Sequence, residues 1–170
     1  DLRLEAGRFS ISSRPFQLRA LIEGTMSELS ARAAASGLKL QVEIDPALPT
    51  EIISDDACLR RILTQVVGNS LKFTEQGSIS VHVSSQGDGP KRTLQLRVQD
   101  TGIGIAPEEL PKIFRPFSRV RERAPQRGVG LGLGLVTARK ICETLGGTMV
   151  VKSDPGQGTV IEFTIGYDVT

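Results

Sequence analysis

A carboxylate followed by paired glycines, DTGIGI at Asp100 to Ile105, and a glycine-alternating run, RGVGLGLGLV at Arg127 to Val136, carry the chain's clearest chemistry. An ionised Asp100 at the mouth of a strand can accept a hydrogen bond from an exocyclic amine. Gly102 and Gly104 leave room for a flat ring to lie against the backbone. In the second run Gly128, Gly130, Gly132 and Gly134 alternate with Val129, Leu131, Leu133 and Leu135, and a helical pattern follows directly. Unpaired amides at a helix start, with the positive end of its dipole, favour an anion. A tight turn would account for Asp-Thr-Gly alone. Together the two stretches suit a base amine at one end and phosphates at the other.

Two familiar phosphate loops are excluded. No Gly-Lys-Ser/Thr ending is present, so the run is not a P-loop, and a dinucleotide fingerprint needs GxGxxG directly after a strand. Here GxGxGxG follows an arginine-rich loop. A third element joins the pair. Asp56 to Phe73 places Leu59, Ile62, Leu63, Val66, Val67 and Leu71 on one stripe, the pattern of an amphipathic helix. Off that stripe Arg61, Gln65, Asn69 and Phe73 recur at i, i+4, with Lys72 adjoining. An amide oxygen there can hold a hard cation and an ammonium can meet a phosphate; a merely solvated helix face has the same spacing.

The elements that must position these residues read as an α/β two-layer sandwich. A short strand near Arg8 to Ser12 precedes a helix from about Phe16 to Ser36, with Leu18, Leu21, Ile22, Thr25 and Leu29 inward and Gly37 as its stop. Strands follow at Leu38 to Ile44 and Glu51 to Ile53, then the Asn69 helix. Ser78 to Ser85 and Thr93 to Gln99 form a hairpin across the turn-rich QGDGPK. The second glycine run opens a helix that Gly146 and Gly147 end, and strands at Thr148 to Lys152 and Thr159 to Ile165 close the chain. Without strict βαβ alternation, this predicts a mixed, mostly antiparallel sheet of about five strands with helices on one face.

These motifs in this order resemble the ATP-binding catalytic domain of histidine kinases, in the superfamily shared with gyrase, heat-shock chaperone ATPases and mismatch-repair ATPases. GNSLKFTEQG (Gly68 to Gly77) resembles the N box, DTGIGI the first glycine box, IFRPF (Ile113 to Phe117) the F box, GVGLGLGLV the second glycine box and GQGT (Gly156 to Thr159) the last one. The opening DLRLEAGRFSISSRPFQLRALI resembles the end of a dimerisation helix and the entry to the catalytic domain in membrane-bound hybrid kinases. That divides the chain into residues 1–12, the end of that helix with a connecting segment, and residues 13–170, the ATP-binding domain.

The resemblance implies a Bergerat-type fold and a role for each matching position. Asn69 would coordinate Mg2+ and Lys72 would approach the phosphates of ATP. Asp100 would bind the adenine amine, with Gly102, Gly104 and Ile105 shaping the base pocket and Thr159 supporting it. Gly128, Gly130, Leu131 and Gly132 would offer amides to the phosphates. Phe114 and Phe117 would anchor the lid between the F box and the second glycine box. Gln65 stands at the catalytic position four residues before Asn69, where the family commonly has Asn or His. ATP-hydrolysing relatives have a water-activating Glu there, so Gln65 argues against hydrolysis as the main task. Val129 replaces a frequent Thr, and Gly134 replaces Ala at a cost of about 1 kcal/mol in a helix.

Composition agrees with one soluble domain: 170 residues, 39% hydrophobic, no Trp. The net charge of +2 gives no case for nucleic acid. Positive charge is local, with Arg115, Arg119, Arg121, Arg123 and Arg127 in the lid segment against Glu122. No apolar stretch reaches the ~18 residues of a membrane span, and no signal-peptide pattern opens the chain. Cys58 and Cys142 lack metal or CxxC spacing and read as buried thiols of a reducing compartment. Met26 reads as core. His82, the sole histidine, alternates outward on a strand and does not resemble a phosphoacceptor, which the family carries on a dimerisation helix.

The expected function is therefore donation of the γ-phosphoryl group of Mg-ATP to a histidine on the dimerisation and histidine-phosphotransfer domain of the same protein, with a receiver domain or response regulator downstream. The expected setting is cytoplasmic, with the parent open to anchoring in the inner membrane; the isolated domain would be monomeric and the parent homodimeric. A degenerate kinase-like module acting through partner contacts is the alternative, supported by Gln65 and Val129. An ATPase of the chaperone or repair type is a further rival.

Overall fold

In the computed structural model the described residues are 4–5, 8–9, 11–74, 76–101, 132–153 and 158–169. In chain order the elements are β1 (Leu4–Glu5), β2 (Arg8–Phe9), β3 (Arg14–Gln17), α1 (Leu18–Ala35), β4 (Lys39–Ile44), β5 (Glu51–Ser54), α2 (Asp56–Phe73), β6 (Ser78–Gln86), β7 (Lys91–Asp100), α3 (Gly132–Thr144), β8 (Met149–Ser153) and β9 (Thr159–Asp168). β1 and β2 pair with each other. The rest build one seven-stranded sheet in the order β3-β5-β9-β7-β6-β4, with β8 also paired to β9.

All neighbours in that sheet are antiparallel except β4 and β6, which run parallel from Lys39↔Ser78 to Ile44↔Val83. The longest pairing is β7 with β9, from Asp100↔Thr159 to Lys91↔Asp168. On its other edge β9 meets β8 over its first residues and β5 at Asp168. The mixed, mostly antiparallel α/β sandwich expected from the sequence is the one observed. Its sheet has seven strands rather than about five. The one whose position the sequence does not mark is β3, whose Arg14–Gln17 pairs with β5 and delays the start of α1 to Leu18. Helical periodicity extends back through Phe16, but it does not register that distant partner.

Period-2 alternation sorts the sheet into an inner and an outer face. Ile79, Val81 and Val83 of β6, Leu94, Leu96 and Val98 of β7, and Ile161, Phe163 and Ile165 of β9 are buried. Ser80, His82, Arg97 and Gln99 on the opposite face are exposed, and Arg97 lies between His82 and Glu162 in the strand register. The inner face packs against the helices, with α2 touching both α1 and α3. The six stripe residues of α2 all join the core, as do Leu18, Ile22, Met26 and Leu29 of α1. Burying each such side chain contributes roughly 1.5–3 kcal/mol.

Helix ends are set by specific bonds. Asp55 caps α2 by accepting from the Cys58 amide at 3.0 Å. α1 stops at Gly37, where the Gly37 and Leu38 amides donate to Ala34 and Ala33 at 3.0 and 2.9 Å, satisfying carbonyls that the helix leaves open.

Candidate nucleotide site

The last residue of β7 is Asp100, and the sheet register sets it between Ile79 of β6 and Thr159 of β9. Only 6% of it is exposed. An ionised carboxylate so buried needs donors. The Thr159 backbone amide supplies one, donating to Asp100 Oδ1 at 3.1 Å. Thr159 is held in turn: its hydroxyl shares a 2.9 Å hydrogen bond with Ser153 Oγ, which also lies 2.8 Å from the Gly158 carbonyl oxygen. Gly158 has φ +85°, and a Cβ there would stand 2.1 Å from the Asp100 carbonyl oxygen. No other residue type fits that approach. Gly158 falls within the GQGT motif without an individual role assigned from sequence, and Ser153 is not singled out there; their part depends on the pairing of β8 with β9.

The turn after β7 is stitched to the turn after α2. Thr101 Oγ1 donates to the Gln76 carbonyl at 3.2 Å and accepts from the Ser78 amide at 3.2 Å, while the Thr101 amide donates to the Ser78 carbonyl at 3.3 Å. These bonds bring the C-terminal end of the Asn69 helix to the mouth of the Asp100 strand.

On α2, Gln65 and Lys72 are half-buried and Asn69 is 6% exposed. The Asn69 side-chain nitrogen Nδ2 is buried without a hydrogen-bond partner among the described residues. Leaving such a group unsatisfied costs about 1–3 kcal/mol, so an orphaned amide inside a fold asks for a missing ligand. A carboxamide also carries an oxygen, a ligand that Mg2+ accepts. The residues present therefore fit a Mg2+-bound phosphate group at Asn69.

The structure thus brings Asp100 and Thr159 into direct contact and carries Gln65, Asn69 and Lys72 on the one helix tied to their strand end. Gly132 opens α3. Gly102, Gly104, Ile105, Phe117, Gly128, Gly130 and Leu131 lie outside the described residues, as do Phe114, Val129 and the arginines of the lid segment.

Both cysteines are buried, as their spacing implied. Burial, then the charge of Asp55 and a hydrogen bond to it, push the Cys58 thiol up from 9.0 to about 12. Burial, then Glu143, push the Cys142 thiol up to about 12. Neither is a nucleophile at neutral pH. Among the described residues no cluster of His, Cys, Asp and Glu could hold a metal ion, and no helix is long and apolar enough to cross a membrane.

Residues 54–168 match the family described as histidine kinase-, DNA gyrase B-, and HSP90-like ATPase. The chain belongs to this ATPase family. Within it, the chain is 35% identical over 162 residues to the virulence sensor protein BvgS of Bordetella bronchiseptica, covering 94% of this chain and 13% of that protein. It is 33% identical over 168 residues to the signal transduction histidine-protein kinase BarA of Escherichia coli K12, covering 98% of this chain and 18% of that one. Among solved structures, full-length ShkA in complex with AMPPNP superposes with a TM-score of 0.79 at 30% identity, over 95% of this chain and 32% of that one. This member of the family therefore corresponds to the ATPase domain of sensor histidine kinases, and spans less than a fifth of the length of those two sensor proteins.

Proposed function

We propose that this chain is the catalytic domain of a sensor histidine kinase that binds Mg-ATP and donates the γ-phosphoryl group to a histidine on a separate dimerisation domain. The observation that supports it best is the pairing of a buried, amide-held Asp100 with a buried, unpartnered Asn69 amide on the helix tied to the same strand end. A carboxylate fixed by Thr159 is aimed to accept from the adenine amine, which selects adenine over guanine. Asn69 would hold Mg2+, which when bound neutralises charge on the phosphates. Lys72, at i+3 from Asn69, adds a second positive charge along the same side of α2. Gly132 at the start of α3, with Gly128, Gly130 and Leu131 before it in the sequence, would offer backbone amides to the phosphates.

Phosphoryl transfer depends chiefly on positioning and charge neutralisation, so this chain needs no strong general base. Gln65 offers an amide where hydrolysing relatives have a carboxylate, which leaves water unactivated and favours transfer to a protein acceptor. His82 sits exposed on the strand β6 and not on a helix, so this reading assigns the acceptor histidine to another domain. In this reading residues 1–12 connect to that domain and residues 13–170 form the kinase core, working in the cytoplasm with a receiver domain or response regulator downstream.

Calorimetric titration with Mg-ATP, then transfer of radiolabelled phosphate to a separately supplied dimerisation domain, tests this reading. Saturable binding followed by labelling is expected. No heat at millimolar nucleotide overturns it in favour of a partner-binding module. Steady phosphate release without a protein acceptor overturns it in favour of an ATPase.

A further inference from the structure

The cap of α2 holds more than the helix. Asp55 is 3% exposed, and its two carboxylate oxygens serve different parts of the chain. Oδ1 accepts from the Cys58 amide in the first turn of α2 at 3.0 Å. Oδ2 accepts from the backbone amide of Ser12, 43 residues earlier, at 2.7 Å. Two residues along, Arg14 Nε stands 3.5 Å from Asp56 Oδ1, and β3 pairs Arg14 with Ser54. A cleft of about 260 Å³ lies beside this junction, lined by Ile11 and Ser13 on one side and Asp55, Leu145 and Tyr167 on others. The segment ahead of β3 is therefore fastened to the start of α2 beside open space.

We propose that Asp55 is a positioning residue that latches the segment at Ile11–Ser13 to α2, so that docking of this segment and nucleotide binding at Asn69 reinforce one another. The nucleotide half of the proposal rests on the reading of α2 given above. Asn69 lies 13 residues beyond Asp56 on the same unbroken helix, roughly 20 Å away at 1.5 Å per residue. Loosening the first turn of α2 weakens the frame that carries Asn69, and ordering Asn69 around a ligand firms that first turn. The coupling is reciprocal by thermodynamic necessity. Because this segment leads toward residues 1–10, movement of whatever lies on that side is felt at the nucleotide helix through one carboxylate.

The test separates the latch from the cap in the full 170-residue chain. Ser12→Pro removes the amide donor and leaves Asp55 and its bond to Cys58 in place; Ser12→Ala keeps the donor and serves as the control. Hydrogen exchange of the first turn of α2 should speed up several-fold in Ser12→Pro without nucleotide, and Mg-ATP should bind three- to tenfold more weakly. Ser12→Ala should match the unaltered chain in both. Asp55→Asn, which can accept from only one of the two amides, should weaken Mg-ATP to a similar degree. In the unaltered chain Mg-ATP should slow exchange at Ser12. Faster exchange confined to residues 11–14 in Ser12→Pro, with α2 and affinity unchanged, overturns the proposal. If the unaltered chain binds no Mg-ATP, the proposed function fails, while the latch is still decided by α2 exchange: unchanged protection in Ser12→Pro overturns it.

Discussion

The Thr159 backbone amide points at Asp100 Oδ1 from 3.1 Å, across the pair of strands with the longest register in the sheet. The bond orients the carboxylate to which the proposed function assigns the adenine amine. In Asp100→Asn the carboxamide oxygen can still accept from Thr159, which turns the new NH2 toward the base, donor against donor. Fold stability should change little. Mg-ATP affinity should fall by about 1.5–3 kcal/mol, roughly ten- to a hundredfold, the worth of a hydrogen bond to a charged group. Discrimination against Mg-GTP should fall with it. Paired titrations of the two nucleotides check this, and equal affinity for ATP in both proteins would place the adenine amine elsewhere.

Asn69→Ala separates binding from stability. The side-chain nitrogen is already buried and unpartnered, so deleting it removes a desolvation penalty along with some packing. The nucleotide-free protein should keep its urea midpoint within about 1 kcal/mol of free energy, unlike most deletions at a buried position. The Mg2+-dependent part of ATP binding should disappear. Titrations with and without Mg2+, set beside urea melts, read both effects. A large loss of stability would mean that the amide is structural.

Much of this arrangement is legible in the residue order. The stripe from Leu59 to Leu71 specifies α2 because six apolar side chains at helical spacing have one way to be buried together. His82 reads as outward because Val81 and Val83 must point in, and they do. Asp100 reads as a strand end because alternation stops at DTGIG. The missed features are non-local. β3 forms only because Ser54 and Glu51 offer it an edge, and Gly158 is required only because the Asp100 carbonyl passes where its Cβ would be. Neither neighbour lies within reach of a local sequence window. The double duty of Asp55 escapes for the same reason: its cap on Cys58 is a local pattern, whereas its bond to Ser12 spans most of the first third of the chain.

Gly158 and Gly37 offer a matched comparison. Both have positive φ, +85° and +74°, but a Cβ at Gly37 meets nothing within 4 Å, whereas one at Gly158 meets the Asp100 carbonyl oxygen at 2.1 Å and Thr101 Cα at 3.1 Å. Gly37→Ala should cost about 1 kcal/mol, the strain of a left-handed backbone alone. Gly158→Ala should cost more than about 2 kcal/mol, because backbone must move as well. That movement displaces Asp100, so nucleotide affinity should drop in Gly158→Ala and hold in Gly37→Ala. Denaturant melts and Mg-ATP titrations of the two variants check both halves, and equal stability losses would remove the steric argument.

The two buried thiols give the fold a pH signature at the alkaline end. In the unfolded chain they ionise near 9.0, and in the folded protein near 12. Between those values the unfolded chain has released protons that the folded one still holds. Stability therefore falls as pH rises through this window, and the thiols impose no slope below about pH 8. The useful quantity is a difference between two proteins that share every group except the thiols. The urea midpoint of the Cys58→Ala, Cys142→Ala double variant should decline less steeply from pH 9 to 11 than that of the unaltered chain, whatever the cavities cost at neutral pH. In the folded protein at pH 8, iodoacetamide should label neither cysteine, and it should label both in urea. Rapid labelling of Cys58 without denaturant would show that the first turn of α2 opens readily, and would place the flexibility of the molecule at the very cap that Asp55 provides.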